Sequence, residues 1–418
     1  MIYEAYVDKF SGDFKGMNSK LDYLQNLGIN CVWLLPHYPS PMVDDGYDVS
    51  DYFGVRKELG SLDDFKDFVS AAHAKGIKVI VDLVLNHVSV EHLWFKEAKN
   101  SAASPKRAYF LWSKTGREFS GSVNPFFHLK AGNWIYNSGT DDYYYASFFP
   151  EQADLNWDNP EIFTEVIRIT DFWAKLGVDG FRLDAVAHLI KREGTLSLHQ
   201  PKVHDILKDM RKYLDINYPG VIMLAEASGK IEQVIQYFGN GDECHMVFNF
   251  PLMSNIYLAV KRNDMKPLEE LVKNSSGIPD NCQWATFVSS HDEITLASLE
   301  ETAREEVVAW LDPKSVFSFR GGRGVSMRLA STFKDNPDMV TAVLKLLFTL
   351  PGAPVIYYGL EIGVENLARE NKFVDSRRYV RGQFDWLQVK KQLRDPDSLL
   401  NKVKKIIRLR LRSCPDAC

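Results

Sequence analysis

One unit recurs along this chain and constrains its fold more than any other feature: an amphipathic helix that stops at a glycine and is followed at once by a short, continuously apolar strand. Leu21, Leu24 and Leu27 stand at helical spacing, Gly28 follows, and Cys31-Val-Trp-Leu-Leu35 runs on from it. The second copy opens with Ser61 and Asp64, spaced as a capping box. Phe65, Phe68, Val69 and Ala72 make its inward face, Gly76 ends it, and Ile77-Lys-Val-Ile-Val-Asp82 follows. The third has Pro160 in its first turn, then Ile162, Val166, Ile169, Trp173 and Leu176 on one face, Gly177 as its stop, and Gly180-Phe-Arg-Leu-Asp184. Glycine just past a helix end adopts the left-handed conformation that other residues resist. A strand that is apolar without alternation is buried on both faces, and strands that alternate with helices form a parallel sheet.

The pattern places strands at 2–7, 31–35, 77–82, 180–184, 221–225, 245–248, 286–290 and 355–358. No glycine-rich dinucleotide turn follows any of them, so it predicts a closed (β/α)8 TIM barrel over an open doubly wound sheet. The chain's 418 residues suit one large barrel with insertions. One interval breaks the rhythm: 88–158 is rich in Phe, Tyr, Trp, Ser and Asn and holds no clean helix–strand unit. It is expected to be an inserted domain over the barrel mouth, with 1–87 and 159–418 forming the barrel.

The formal net charge of −5 gives no electrostatic support to a nucleic-acid or membrane-surface partner. No apolar run reaches the ~18 residues of a membrane span. Five scattered cysteines, Cys31, Cys244, Cys282, Cys414 and Cys418, argue against a disulfide framework. Strand-like sequence from residue 2 leaves no room for a signal peptide, so a reducing, cytoplasmic compartment is expected. Cys414 and Cys418 read as a frayed terminus, since no second pair exists to complete a metal site.

The active site of a parallel barrel lies at the C-terminal ends of its strands. Asp82, Asn86 and His87 follow the third strand here. Arg182 and Asp184 close the fourth, with His188 four residues on; Glu226 closes the fifth; His291, Asp292 and Glu293 follow the seventh. Carboxylates and histidines at four separate strand ends imply a polar site. Three carboxylates around one cavity suit glycosidic chemistry: one attacks the anomeric carbon, one protonates the leaving oxygen, and one holds the substrate. Arg182, two residues before Asp184, points to the same side of the strand and is expected to keep Asp184 ionised. Glu226 follows an apolar stretch, and burial would raise its pKa as a general acid requires.

Asp82-Leu-Val-Leu-Asn-His87, Gly180-Phe-Arg-Leu-Asp-Ala185, Leu224-Ala-Glu226 and Ser290-His-Asp292 resemble, in order, the four signature regions of the α-amylase family of glycoside hydrolases. Gln152-Ala-Asp-Leu-Asn156 is similar to the short motif near the end of that family's inserted domain B, and Pro354-Val-Ile-Tyr-Tyr-Gly359 to its eighth strand. The resemblance implies a nucleophile at Asp184, an acid/base at Glu226 and a transition-state stabiliser at Asp292, with His87 and His291 holding sugar hydroxyls. Gly46-Tyr-Asp48 resembles the pocket motif of the α-glucosidase-like branch, in which Tyr47 would stack on the sugar and Asp48 would bind it, partnered by Arg381. Stretches such as Arg192-Glu-Gly-Thr195 and Ile278-Pro-Asp-Asn-Cys-Gln-Trp284 resemble the trehalose synthase branch most closely. The implied reaction is the isomerisation of maltose to trehalose through a covalent glucosyl-aspartate. The alternatives are hydrolysis of short α-glucosides, including malto-oligosaccharides, or an inactive carbohydrate-binding barrel. The family's C-terminal β-sandwich is not expected within these 418 residues.

The resemblance requires no cofactor, but a structural calcium ion is common in the family. Asn86 and Asp154 match its oxygen ligands and the carbonyl of His188 could add another. Lys191 stands where the trehalose synthase branch carries an acidic ligand. The alternative is that these groups hydrogen-bond domain B to the barrel. Arg320-Gly-Gly-Arg-Gly324 lacks the Gly-Lys-Ser/Thr of a phosphate loop and reads as a flexible loop within 310–334, a stretch with no recognisable pattern. Trp112, Trp134 and Trp157 are expected either to stack on sugar or to pack in a core.

Overall fold

In the computed structural model, which describes residues 1–371 and 373–413, eight parallel strands close into a barrel. They are β1 (Ile2–Ala5), β2 (Cys31–Leu34), β3 (Lys78–Val84), β4 (Gly180–Asp184), β5 (Ile222–Ala225), β6 (Met246–Phe248), β7 (Gln283–Thr286) and β8 (Ala353–Tyr357). Neighbours follow chain order around the ring, and β1 closes it against β8, with Ile2 opposite Val355 and Tyr3 opposite Ile356. Every residue of β1 and β4 is buried, as strands covered on both faces must be.

The helices form for the reasons their sequences suggest. The Asp13 side chain caps Phe14–Leu27 by accepting from the Gly16 N–H. Ser61 and Asp64 complete a capping box on Leu62–Ala74. Pro160 opens Pro160–Lys175 behind an Asn159 cap. Each side-chain cap is worth about 1 kcal/mol. Gly28, Gly76 and Gly177 all have left-handed φ values, of 95°, 70° and 92°. A Cβ on Gly28 would lie 2.7 Å from Ile407, so this helix end also admits the last helix, Leu399–Ser413.

The seventh strand differs from expectation. It spans Gln283–Thr286 and not 286–290. The chain leaves the ladder after Thr286, and the Val288 carbonyl accepts from the Tyr257 hydroxyl. His291 and Asp292 therefore stand on a loop beyond the strand.

Between β3 and Pro160–Lys175 the chain builds two small antiparallel sheets. His87–Ser89 pairs with Gln152–Asp154, and Asp142–Tyr145 lies between Trp112–Ser113 and Trp134–Asn137. The tryptophans there pack internally: Trp112 stacks on Phe95, Trp134 stacks on Phe119, and the Trp157 indole donates to the Leu85 carbonyl. None of the three lines the central cleft.

A second excursion, which had no recognisable pattern, leaves the barrel between β7 and β8. It holds the helix Glu301–Leu311 and a three-stranded sheet of Ile294–Thr295, Gly324–Val325 and Ser318–Phe319. Phe319 packs edge-on against Phe126 and His128 of the first excursion. The two excursions therefore meet over the barrel mouth. Cys31, Cys244 and Cys282 are free thiols, while Cys414 and Cys418 lie outside the described residues. Among the described residues no helix is long and apolar enough to cross a membrane.

Candidate active site

The strand ends open into a cleft of about 930 Å³, measured out to its mouth. Tyr47, His87, Arg182, Asp184, His188, Glu226, His291 and Asp292 all line it, so eight of the sequence-predicted residues converge on one cavity.

Arg182 is its hub. One guanidinium nitrogen lies 2.5 Å from Asp82 and 2.6 Å from Asp184, and the other 2.9 Å from Glu226. The guanidinium therefore serves three carboxylates at once, Asp184 among them. Burial raises the Asp184 carboxyl, and a guanidinium shared among three carboxylates only partly offsets this, leaving Asp184 at about 6. Burial also raises Glu226, as expected, against the pull of Arg182. Ala185 takes a left-handed conformation with φ of 49°, which costs a non-glycine residue roughly 1–2 kcal/mol. That turn aims its N–H at Glu226 Oε2, 2.8 Å away.

A second network holds Asp292. His291 Nε2 lies 3.2 Å from its carboxylate, and Arg377 and Arg381 donate to Oδ1 at 3.1 and 2.8 Å. Burial alone would raise Asp292, but His291 and Arg377 hold it well below the usual range. Burial would lower His291, yet Asp292 and Glu4 together raise it to about 9. Glu4, wholly buried on β1, accepts from the His291 backbone N–H at 3.0 Å and lies 2.6 Å from Nδ1. Tyr47 meets Nε2 through its hydroxyl at 2.7 Å and stacks on the same imidazole. His87 packs against Phe148, its Nε2 3.2 Å from the Tyr47 carbonyl.

The pocket aspartate is not Asp48. Its carboxylate accepts the backbone N–H groups of Val43 and Asp44, at 2.9 and 3.0 Å, and lies outside the cleft lining. It folds the turn that presents Asp44. Asp44 lines the cleft and pairs with Arg377 at 2.8 Å, while Arg377 is further clamped by Asp375 at 2.7 Å. Arg381 pairs with Asp45 at 2.7 Å and not with Asp48. Sequence reasoning missed Asp44, Arg377 and Glu4. A lone carboxylate inside an apolar strand was a usable signal for Glu4; Asp44 was one of three aspartates in Asp44-Asp-Gly-Tyr-Asp48, and Arg377 had no signal.

The residues expected to hold calcium do come together, but around an ammonium. Lys191 Nζ lies 2.5 Å from Asp154, 2.8 Å from Asn86 Oδ1 and 2.6 Å from the His188 carbonyl. Asp154 is wholly buried and also accepts from Ser147. A lysine at the centre of the donor set already supplies the positive charge, so the set does not fit a calcium ion. This is the alternative to calcium given above, in which hydrogen bonds join the excursion to the barrel.

Comparison with known proteins agrees with this architecture. The profile for the α-amylase catalytic domain matches residues 4–319. The chain is 41% identical to a trehalose synthase of Thermus thermophilus, across 93% of this chain and 40% of that one. It is 41% identical to the trehalose synthase/amylase TreS of Mycobacterium tuberculosis, across 87% and 62%. With the trehalose-6-phosphate hydrolase of Escherichia coli it shares 31% identity over 88% and 65%. The chain thus spans between two fifths and two thirds of the length of these relatives. Among solved structures, the trehalulose synthase MutB of Pseudomonas mesoacidophila superposes with a TM-score of 0.77 at 24% identity, over 98% of this chain and 83% of that one. The isomaltulose synthase of Klebsiella gives the same TM-score, identity and coverage. These two show the fold alone. With a profile covering most of its length and a barrel whose strand ends carry the matching residues, the chain belongs to the α-amylase family and comprises its catalytic domain.

Proposed function

We propose that the chain catalyses retaining transfer of a glucosyl group from a short α-glucoside, isomerising maltose to trehalose. The observation that carries this reading is the convergence of Asp184, Glu226 and Asp292 on one cleft, which also carries the buried Asp44–Arg377 pair.

In this reading Asp184 attacks the anomeric carbon while Glu226 gives its proton to the glycosidic oxygen, leaving a glucosyl ester and a free glucose. Asp292 and His291 hold hydroxyls of the transferred ring, Tyr47 offers it a flat surface, and His87 supports the same sugar. In the second half, the anomeric hydroxyl of the retained glucose attacks the anomeric carbon of the glucosyl ester. Its proton passes to Glu226, and Asp184 leaves as the carboxylate. The relatives named trehalose synthase support this outcome. No cofactor enters the chemistry, and the free thiols suit a cytoplasmic enzyme.

A second reading, hydrolysis, is favoured by one observation: the Glu226 and Asp292 side chains are 23% and 24% exposed, so solvent reaches the cleft. Incubation with maltose, followed through the anomeric proton signals, separates the two. Trehalose with little glucose is expected. Glucose alone would leave a hydrolase, and no turnover of any α-glucoside would overturn both readings.

A further inference from the structure

Glu4 is a carboxylate in the middle of a barrel strand. Ile2, Tyr3 and Ala5 are buried beside it on β1, and its own side chain is wholly inaccessible. Burying a carboxylate is costly unless hydrogen bonds offset the lost solvation. Among the described residues, the Glu4 side chain makes hydrogen-bond contact with one residue only. Oε1 accepts the His291 backbone N–H at 3.0 Å and lies 2.6 Å from Nδ1 of the same residue, while Oε2 is buried with no hydrogen-bond partner. A barrel strand gains nothing from such a group. Its whole interaction goes to one histidine of the cleft.

The far side of the imidazole fixes its protonation. Nε2 lies 3.2 Å from Asp292 Oδ2 and 2.7 Å from the Tyr47 hydroxyl. A carboxylate only accepts, so Nε2 carries a proton toward Asp292 and Nδ1 carries one toward Glu4. The Tyr47 hydroxyl donates to Asp82 Oδ2 at 3.3 Å, which leaves its oxygen to accept from Nε2. These contacts are all satisfied together only by an imidazolium. The groups around the ring favour that charge. Glu4 on β1, Asp82 on β3 and Asp292 bring three carboxylates. Tyr6 packs edge-on, and the Arg381 Nε donates to the His291 carbonyl. Arg182 stands behind Tyr47 and Asp82. His87 and His188 line the same cleft with no carboxylate at hydrogen-bond distance, and burial lowers both, whereas His291 is raised.

We propose that Glu4 is a positioning residue for the reaction: it holds His291 as a fixed, positively charged donor whose Nε2–H is presented to the transferred sugar. The proposal rests on the glucosyl-transfer reading above. A sugar hydroxyl between Nε2 and Asp292 receives its hydrogen bond from a charged donor, which bonds more strongly than a neutral one. Because Glu4 also takes the His291 backbone N–H, it fixes the ring together with the loop beyond β7 that carries Asp292.

Two variants separate charge from shape. Glu4→Gln keeps the shape and removes the charge; Glu4→Asp keeps the charge on a shorter arm. The ring nitrogens of His291 are followed by nitrogen-15 NMR across pH, their signals assigned by loss in His291→Asn. kcat/KM for α-glucosyl fluoride is measured on the same proteins. In the wild type both ring nitrogens are expected to stay protonated until pH about 9. In Glu4→Gln the loss of one proton should move down by at least about one pH unit, toward the ordinary histidine value of about 6.5. kcat/KM at pH about 8 should then fall about tenfold, the effect of a weakened charged hydrogen bond. Glu4→Asp should restore the doubly protonated ring and part of the rate. A neutral His291 in the wild type at pH about 8, a titration that Glu4→Gln leaves unmoved, or an unchanged kcat/KM in Glu4→Gln would overturn the proposal. Should Glu4→Gln fail to fold, the wild type and Glu4→Asp decide: a neutral ring at pH about 8 in either overturns it. A wild type that turns over no α-glucoside refutes the glucosyl-transfer reading, while the titration still decides what Glu4 does to His291.

Discussion

Arg182 touches Asp82, Asp184 and Glu226 at once, and it opposes the rise that burial imposes on all three carboxyls. One positive charge cannot fully offset the burial of three carboxylates, so Asp184 rises to about 6. The ionised form is the nucleophile, so kcat/KM should fall below pH about 6, approaching tenfold per unit; a pH–rate profile on α-glucosyl fluoride checks this. An acid limb that stays flat down to pH about 4, the range of an unperturbed aspartate, would contradict it. The same shift has a stability sign. A raised folded pKa means the folded form binds the proton more tightly, a contribution present below the unfolded value and lost as pH rises through about 6. At neutral pH the nucleophile therefore costs stability. Asp184, Glu226 and Asp292 were legible because apolar strands stop at or near them. Asp48 was misjudged because three aspartates crowd one short motif, and only the fold of the turn shows that Asp48 binds backbone while Asp44 faces the cleft.

Among the elements, the strand His87–Ser89 and its partner Gln152–Asp154 fix the inserted segment to the barrel, and Lys191 is the charge at their junction. Both partners of that ion pair are essentially inaccessible, at 2% and 0%. Removing the ammonium leaves Asp154 as an uncompensated buried charge, a loss of about 3–5 kcal/mol. Lys191→Met should lower stability by that amount in denaturant unfolding, and wild-type Tm should not change when a chelator is added. A chelator-sensitive Tm would show that the donor set takes calcium after all. The helices were readable in detail, since caps, first-turn proline and stop glycines are local chemistry. The seventh strand was misplaced because Val288 is as apolar as a strand residue. Beyond Thr286 the chain has left the ladder, and the Val288 carbonyl accepts from the hydroxyl of Tyr257, 31 residues away in sequence.

The whole molecule is a closed barrel with two excursions that meet over one mouth. The barrel was legible because its unit repeats and because buried parallel strands advertise themselves as unbroken apolar runs. The first excursion showed as a gap in that rhythm. The second did not, since its strands are two residues long and carry no period. It emerged as a structure only through contacts such as Phe319 on Phe126, far apart in sequence. This architecture places one nucleophile at the end of β4, and the account stands on the covalent bond it should form. Incubation with 5-fluoro-α-glucosyl fluoride, which slows breakdown of the ester, followed by acid quench and peptide mass mapping, observes that bond directly. A fluoroglucosyl adduct on the peptide containing Asp184, absent from Asp184→Asn, is the predicted result; an adduct on another residue, or turnover by Asp184→Asn at the wild-type rate, would contradict it.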